Sequence, residues 1–419
     1  MSPRPKWIII LTIVLDTLGI GILVPVVPHL LGNPDSPHYL LPAGTSREAG
    51  YIVLGFLVAV YPIMQFFSTP ILGQLSDRHG RKPVLALSLA GTALGYVFLA
   101  LAIIFRNIPV LFISRALDGI TGGNLSVAQA AIADLTPPKD RTKNFGLIGA
   151  AFGIGFVLGP FLGGTLADPS VVRWFNAATP FWFAAGLATF NTLSVLLQFK
   201  ETNQYMRPVN VELGRSVHNV MRAFAMPDLR SIFLTMFFFN AGFGFFISFF
   251  GVFLIHRFGY SELQIGHFFG YVGLWVIFTQ LFTTRMVAER ASEAQVLRMS
   301  LFGVAMVMAA YTLAPTAWWI FLIAPFASTF NGLSIANLGG LLSRSVAPEV
   351  QGEILGIGSS IQALAQSFPP LFSGFIAASL APAAPVMAAS LTMLLAWVVF
   401  TAFYKPIRRV AHGGGVVSR

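Results

Sequence analysis

Cysteine is absent from the 419 residues. That excludes disulfides and leaves the redox compartment of the chain unreadable. Charge is nearly as scarce: Asp, Glu, Lys and Arg make up 10% of the chain against 55% apolar residues, and the mean hydropathy is +0.74. So few polar residues do not cover a soluble globular surface, which leaves a polytopic membrane protein. The sequence also lacks a nucleotide-binding loop, a cluster of metal ligands and any nucleophile–base pair. Neither an enzyme nor an ATP-driven pump is expected, and no metal or cofactor is implied.

What the sequence has instead is long apolar runs. A helix crossing a bilayer needs about 20 of them in succession, and twelve runs qualify: 7–31, 49–72, 83–104, 109–132, 144–167, 178–199, 229–254, 263–286, 296–314, 317–342, 353–378 and 383–404. Arg4 and Lys6 before the first run resemble the start of a signal peptide, but Asp16 interrupts the run and it continues too far, so it reads as an uncleaved first span. The net charge of +10 would suggest nucleic acid in a soluble protein; here its distribution explains it better. Only Arg47, Arg106, Arg173 and Arg257 fall on one side of the spans and Arg115 within one; the other cations share the side of the N-terminus. The expected orientation is both termini in the cytoplasm, with no nucleic-acid partner.

The longest polar stretch, 200–228, divides the chain into six spans and six. The expected organisation is a bundle over 1–199, a linker over 200–228, a second bundle over 229–404 and a tail over 405–419. In the linker Val217, Val220, Met221 and Phe224 share one helical face, the pattern of a short amphipathic helix on an anionic leaflet. A shift of 210 residues superposes Pro138 on Pro348, Gly146 on Gly356, Pro160 on Pro370 and Gly164 on Gly374. Such a repeat implies two bundles about a pseudo-twofold axis, with a central cavity near the midplane.

Three motifs stand out. Gly73, Asp77, Arg78, Gly80, Arg81, Lys82 and Pro83 form a charged hairpin between spans 2 and 3. Positive-inside anchoring explains its cations but not Asp77. Span 4 carries Arg115, Asp118, Gly119, Gly122 and Gly123, and span 5 carries Gly146, Gly155, Gly159, Pro160, Gly163 and Gly164. The small-xxx-small steps of span 5 let another helix approach closely. Together these residues, with the Asp16 to Gly21 segment and Pro25 and Pro28, resemble the major facilitator superfamily, and within it the twelve-helix drug/proton antiporters of the tetracycline-efflux branch. The resemblance implies a monomeric bacterial inner-membrane exporter of small amphiphilic or drug-like compounds, driven by the proton gradient through alternating access. A proton symporter or uniporter for a metabolite or lipid is the alternative, and a receptor without transport is a further one. The resemblance also implies that Asp77 latches the cytoplasmic side by pairing with the other half, with Asp134 and Arg141 as companions.

Asp16, Arg115 and Asp118 are the charges deep within the proposed spans. A charge at the bilayer centre costs about 2.5 to 3.5 kcal/mol even on the lenient insertion scale. At about 1.5 Å per residue in a core about 30 Å thick, both acids fall near the midplane. A carboxylate alternately wet and dry is suited to load and release a proton. The structural reading is an ion pair of Arg115 with either acid. The spans of the second half hold no acid. Substrate contacts are expected from Asp16, Asn240, His267, Asn331, Ser334, Gln362 and Gln366, although for every one but Asp16 interhelical hydrogen bonding is as good an account.

Overall fold

The structure is a computed structural model that describes residues 4–136, 141–203, 206, 211–346 and 350–405; side chains 4–6, 141–146, 148–150 and 352 fall outside the description. The described residues are helical and include no strand. In chain order the helices are α1 (Arg4–Leu31), α2 (Arg47–His79), α3 (Arg81–Ile104), α4 (Ile108–Thr121), α5 (Asn124–Asp134), α6 (Arg141–Ala167), α7 (Thr179–Gln198), α8 (Arg215–Ala225), α9 (Pro227–Phe258), α10 (Glu262–Phe278), α11 (Thr284–Ala288), α12 (Glu293–Thr312), α13 (Ala317–Arg344), α14 (Gln351–Ser367), α15 (Pro369–Ser379) and α16 (Ala384–Phe403). A five-residue π segment, Thr279–Thr283, joins α10 to α11.

Among the described residues nine helices are long and apolar enough to cross a membrane. The other three expected spans have identifiable reasons for falling short. The fourth breaks into α4 and α5 at Gly122 and Gly123, and the eleventh breaks into α14 and α15 before Pro369 and Pro370. The fifth is judged only on Ala151–Ala167, the part of α6 with described side chains.

Capping residues set the helix ends. The Ser46 and Asn107 side chains accept from the N–H groups of Ala49 and Val110. Ser261 and Ser292 form capping boxes with Gln264 and Gln295. The box at Ser261 puts Glu262 inside α10 and corrects the expectation that the second half's spans hold no acid: the Glu262 side chain is only 13% exposed. A hydropathy boundary drawn at residue 263 passes over it. Glu293 likewise opens α12.

Close packing concentrates where glycines meet. A Cβ on Gly155, Gly159 or Gly163 would lie 2.7, 2.6 and 2.5 Å from backbone oxygens of Val14, Leu18 and Ile22, so α6 lies directly on α1. The next face of α6 meets α10: a Cβ on Gly266 would be 2.6 Å from the Pro160 carbonyl and 3.0 Å from the Gly164 Cα. The crossing of α2 with α15 repeats this arrangement, with a Cβ on Gly55 placed 2.6 Å from the Pro370 carbonyl and 3.0 Å from the Gly374 Cα. Pro160 and Gly164 are the residues that a 210-residue shift superposes on Pro370 and Gly374. The pairs Pro138/Pro348 and Gly146/Gly356 include members outside the described residues or side chains.

The two parts of the chain share apolar packing at one end. Near the far end of α1, Leu30, Leu31, Leu54 and Tyr51 are buried together with Phe249, Val252 and Ala377 from beyond the linker. At the N-terminal end, Ile8, Ile9, Ile13, Val84, Leu85, Val127 and Ala131 are buried in a cluster that draws no described residue from beyond Phe199. The molecule is sealed at the end remote from its N-terminus.

The linker helix forms, but its placement differs from a helix resting on lipid alone. Ser216 and Ala223 are fully buried. The Ser216 hydroxyl donates to the Phe66 carbonyl (2.5 Å), the Asn219 amide to the Ser360 hydroxyl (3.1 Å), and Arg222 pairs with Glu353. Val220 and Phe224 pack inward, whereas Val217 and Met221 stay exposed. α8 therefore straps α2 to α14 with one edge and presents two apolar side chains with the other.

Candidate functional site

The break between α4 and α5 organises the buried charges. A Cβ on Gly122 would stand 2.7 Å from the Tyr61 hydroxyl, and one on Gly123 2.9 Å from the Thr69 Cα, so the glycines let α2 press against the break. The Gly122 carbonyl accepts from the Gln65 amide at 2.8 Å, and Gln65 also donates to the Tyr61 hydroxyl at 3.0 Å. The restart at Asn124 aims that side chain at α1, where its Nδ2 donates to Asp16 Oδ1 at 2.9 Å.

Arg115 takes Asp118 and not Asp16. Its Nη2 donates to Asp118 Oδ2 at 2.5 Å, with both side chains about 95% buried. The guanidinium carbon lies 5.1 Å from the centre of the Tyr61 ring, a cation–π distance. Asp118 also engages Thr92. The Tyr96 hydroxyl fills the space over Gly19, where a Cβ would sit 2.1 Å from it. Of the three charges singled out in the sequence, Arg115 and Asp118 pair with each other, and Asp16 bonds to Asn124 instead. Sequence reading missed Asn124, Tyr61, Gln65, Thr92 and Tyr96. Asn124 alone carried a signal, as a strong polar group one residue past two glycines inside an apolar run.

The result is a division of roles by charge. Arg115 and Asp118 neutralise each other. Among the described residues Asp16 has no cationic partner: it is half-buried and bonded to a neutral amide. An acid in that setting changes the charge of its surroundings whenever it gains or loses a proton.

The hairpin is built differently from the expected latch. Gly80 adopts φ +98°, and a Cβ there would meet Glu201 Oε2 at 2.4 Å. Glu201, absent from the sequence-based candidates, accepts from the backbone N–H of Arg81 (2.8 Å) and Lys82 (3.0 Å) and caps the start of α3. The Asp77 carboxylate pairs with Arg81 on the same hairpin at 2.6 Å, and Arg81 continues to Asp134 at 3.1 Å. Asp77 is thus held locally rather than by the other half, consistent with shared packing lying at the opposite end. Arg78 is exposed, and a Cβ on Gly73 would lie 3.9 Å from the Ser126 hydroxyl. The side chains of Arg141 and Gly146 lie outside the described residues.

The second-half candidates scatter. His267 is on an exposed helix face, stacked on Phe161 with ring centres 5.5 Å apart, in a groove of about 340 Å³ lined by Val157, Leu158 and Leu274. Ser334 is committed to Ser300 (2.8 Å) and is fully buried, an interhelical bond. Asn240 donates to the Met236 carbonyl of its own helix. Asn331 Oδ1 is buried without a partner, and Gln362 and Gln366 make no hydrogen bond among the described residues. These last three retain polar capacity for a ligand.

Comparison with known proteins places this geometry in context. Residues 9–370 match the Major Facilitator Superfamily. The chain is 32% identical to the class H tetracycline resistance protein of Pasteurella multocida, over 88% of each chain. It is also 32% identical to the class C tetracycline resistance protein of Escherichia coli, over 96% of each. Among solved structures, the inward-open form of the E. coli xylose transporter superposes with a TM-score of 0.74 at 16% identity, covering 97% of both chains.

Proposed function

Since the chain belongs to the major facilitator superfamily, and is therefore a membrane transporter and not an enzyme, we propose that it exports small amphiphilic, tetracycline-like compounds in exchange for protons. The observation that carries this reading is the unequal treatment of the buried charges: Arg115 is neutralised by Asp118, while Asp16 keeps a neutral partner in Asn124 and is only partly buried. Asp16 carries the proton. Arg115 and Asp118 hold α4 together beside it, with Tyr61 shielding the guanidinium.

The nine apolar helices, with α4–α5, α6 and α14–α15, make twelve crossings in two bundles, both termini lying in the cytoplasm. The linker between the bundles carries α8. The glycine face of α6 that meets α1 and α10 resembles the antiporter pattern of exporters, and the tetracycline resistance relatives support the substrate class. Protonation from outside and release inside drive alternating access around Asp16. Asn331, Gln362 and Gln366 supply the ligand's polar contacts from the second bundle.

Reconstitution with an imposed pH gradient tests the coupling. Asp16→Asn is expected to lower drug-dependent proton flux at least about tenfold, the effect of losing an essential proton carrier, with an unchanged unfolding temperature. Full flux in the variant overturns the assignment of Asp16.

A further inference from the structure

At the sealed end α1 finishes with Pro28, His29, Leu30 and Leu31, and His29 is 4% exposed. Its Nδ1 lies 3.7 Å from Glu262 Oε1 at the start of α10, and 3.3 Å from the Asn33 amide nitrogen. Glu262 is not needed to cap its helix, because Ser261 and Gln264 do so. The site is where α1, α6 and α10 meet: a Cβ on Gly164 would stand 2.3 Å from the Glu262 carbonyl. Glu262 Oε1 is buried without a hydrogen-bond partner among the described residues, and buried His29 Nε2 has no well-formed bond, with the Tyr260 backbone as its nearest acceptor. Buried polar atoms are rarely left so, and these two belong to opposite parts of the chain.

We propose that His29 and Glu262 form a proton site that clasps the two parts of the chain together at this end, closing on uptake of one proton from that side. The inference rests on alternating access, since a clasp matters only if the sealed end opens.

Charge neutrality supplies the argument. When closed, the site has little water, and one uncompensated buried charge is expensive. The pair is neutral when its two groups share one proton, as imidazolium with carboxylate or imidazole with carboxylic acid. When open and wet, an imidazole loses its proton near pH 6.5 and a glutamate near 4.3. Above about pH 6.5 the open pair therefore holds no proton, and closing must take one up. Linkage then makes the closing equilibrium about tenfold less favourable for each unit of rising pH.

Two titratable groups from neighbouring loops reach the pair, His38 toward His29 and Asp168 toward Glu262. His38, from the loop after α1, is held below the usual imidazole range by burial, against the opposing pull of Asp168. Asp168 faces Glu262 from the loop after α6, and Tyr260 offers only its backbone to His29. The Tyr39 hydroxyl is buried and neutral, and Arg47 is taken by Asp35 at 3.1 Å.

The absence of cysteine permits a direct test. Spin labels on Ala43→Cys and Leu313→Cys, both exposed beyond the ends of α1 and α12, report the separation of the two parts in lipid nanodiscs without substrate. The closed, short-distance population is expected to rise between pH 8 and pH 6.5 by about tenfold per unit in equilibrium constant. In His29→Gln and Glu262→Gln that response is expected to disappear, and in the exchanged double variant His29→Glu with Glu262→His it is expected to return. An undiminished response in the folded single variants overturns the proposal, and so does a double variant that folds without it. Asp16→Asn is expected to keep the response, which separates the clasp from the transport reading: a drug-flux failure with an intact response removes only the latter.

Discussion

A single acid decides how the hairpin at the N-terminal end is held. Burial alone raises the carboxyl of Glu201, but backbone N–H groups of Asn203, Arg81, Lys82 and Thr202 outweigh it and hold that carboxyl below the usual range. A carboxylate lowered by folding stabilises the folded state above its unfolded value, about 4.5, and that contribution is lost as pH falls through the folded value. Glu201→Gln is therefore expected to lower the unfolding temperature at neutral pH by about 1 to 3 °C, the scale of a lost helix cap. Below pH 4.5 the difference from the native chain is expected to shrink, which thermal scans at several pH values check. Residues of this kind divide by legibility. Asp16, Arg115 and Asp118 were readable because a charge within an apolar run needs a reason. Glu201 was not, since its partners are backbone groups 119 and 120 residues away, and Asn124 showed only as a polar group in an apolar run, its partner lying 108 residues distant.

At the scale of elements, the spacing of glycines gave the packing of α6 in advance, whereas the break in the fourth span was hidden. Hydropathy continues across Gly122 and Gly123, and what sustains the break is Tyr61, Gln65 and Thr69 on a different helix. The same lesson applies to Glu262, where a cap and not hydropathy fixed the boundary. The crossing glycines allow a measured comparison. Gly266→Val or Gly55→Val puts a side chain where a Cβ already lies 2.6 Å from a carbonyl oxygen, and is expected to destabilise by about 1 to 3 kcal/mol through overpacking. Gly186→Ala meets nothing within 4 Å and is expected to be neutral or to stabilise by up to about 1 kcal/mol. Thermal unfolding in detergent distinguishes them; equal effects at all three positions contradict the crossing geometry.

For the whole molecule, the sealed end is the feature that function has to undo. A Cβ on Gly251 would lie 3.5 Å from the Pro28 Cβ, within the range a disulfide spans. Pro28→Cys with Gly251→Cys is expected to cross-link on oxidation, to stop transport by more than about tenfold, and to recover on reduction, as alternating access requires. Continued transport in the oxidised protein refutes opening at this end. The paired contacts described above, Gly55 on Gly374 and Gly266 on Gly164, carry a mechanical consequence. Once the apolar packing at the sealed end parts, the rotation that preserves both crossings is the one about the line joining them, as a door turns on its two hinges. A distance measured across the sealed end, far from that line, is then the one that responds most to opening.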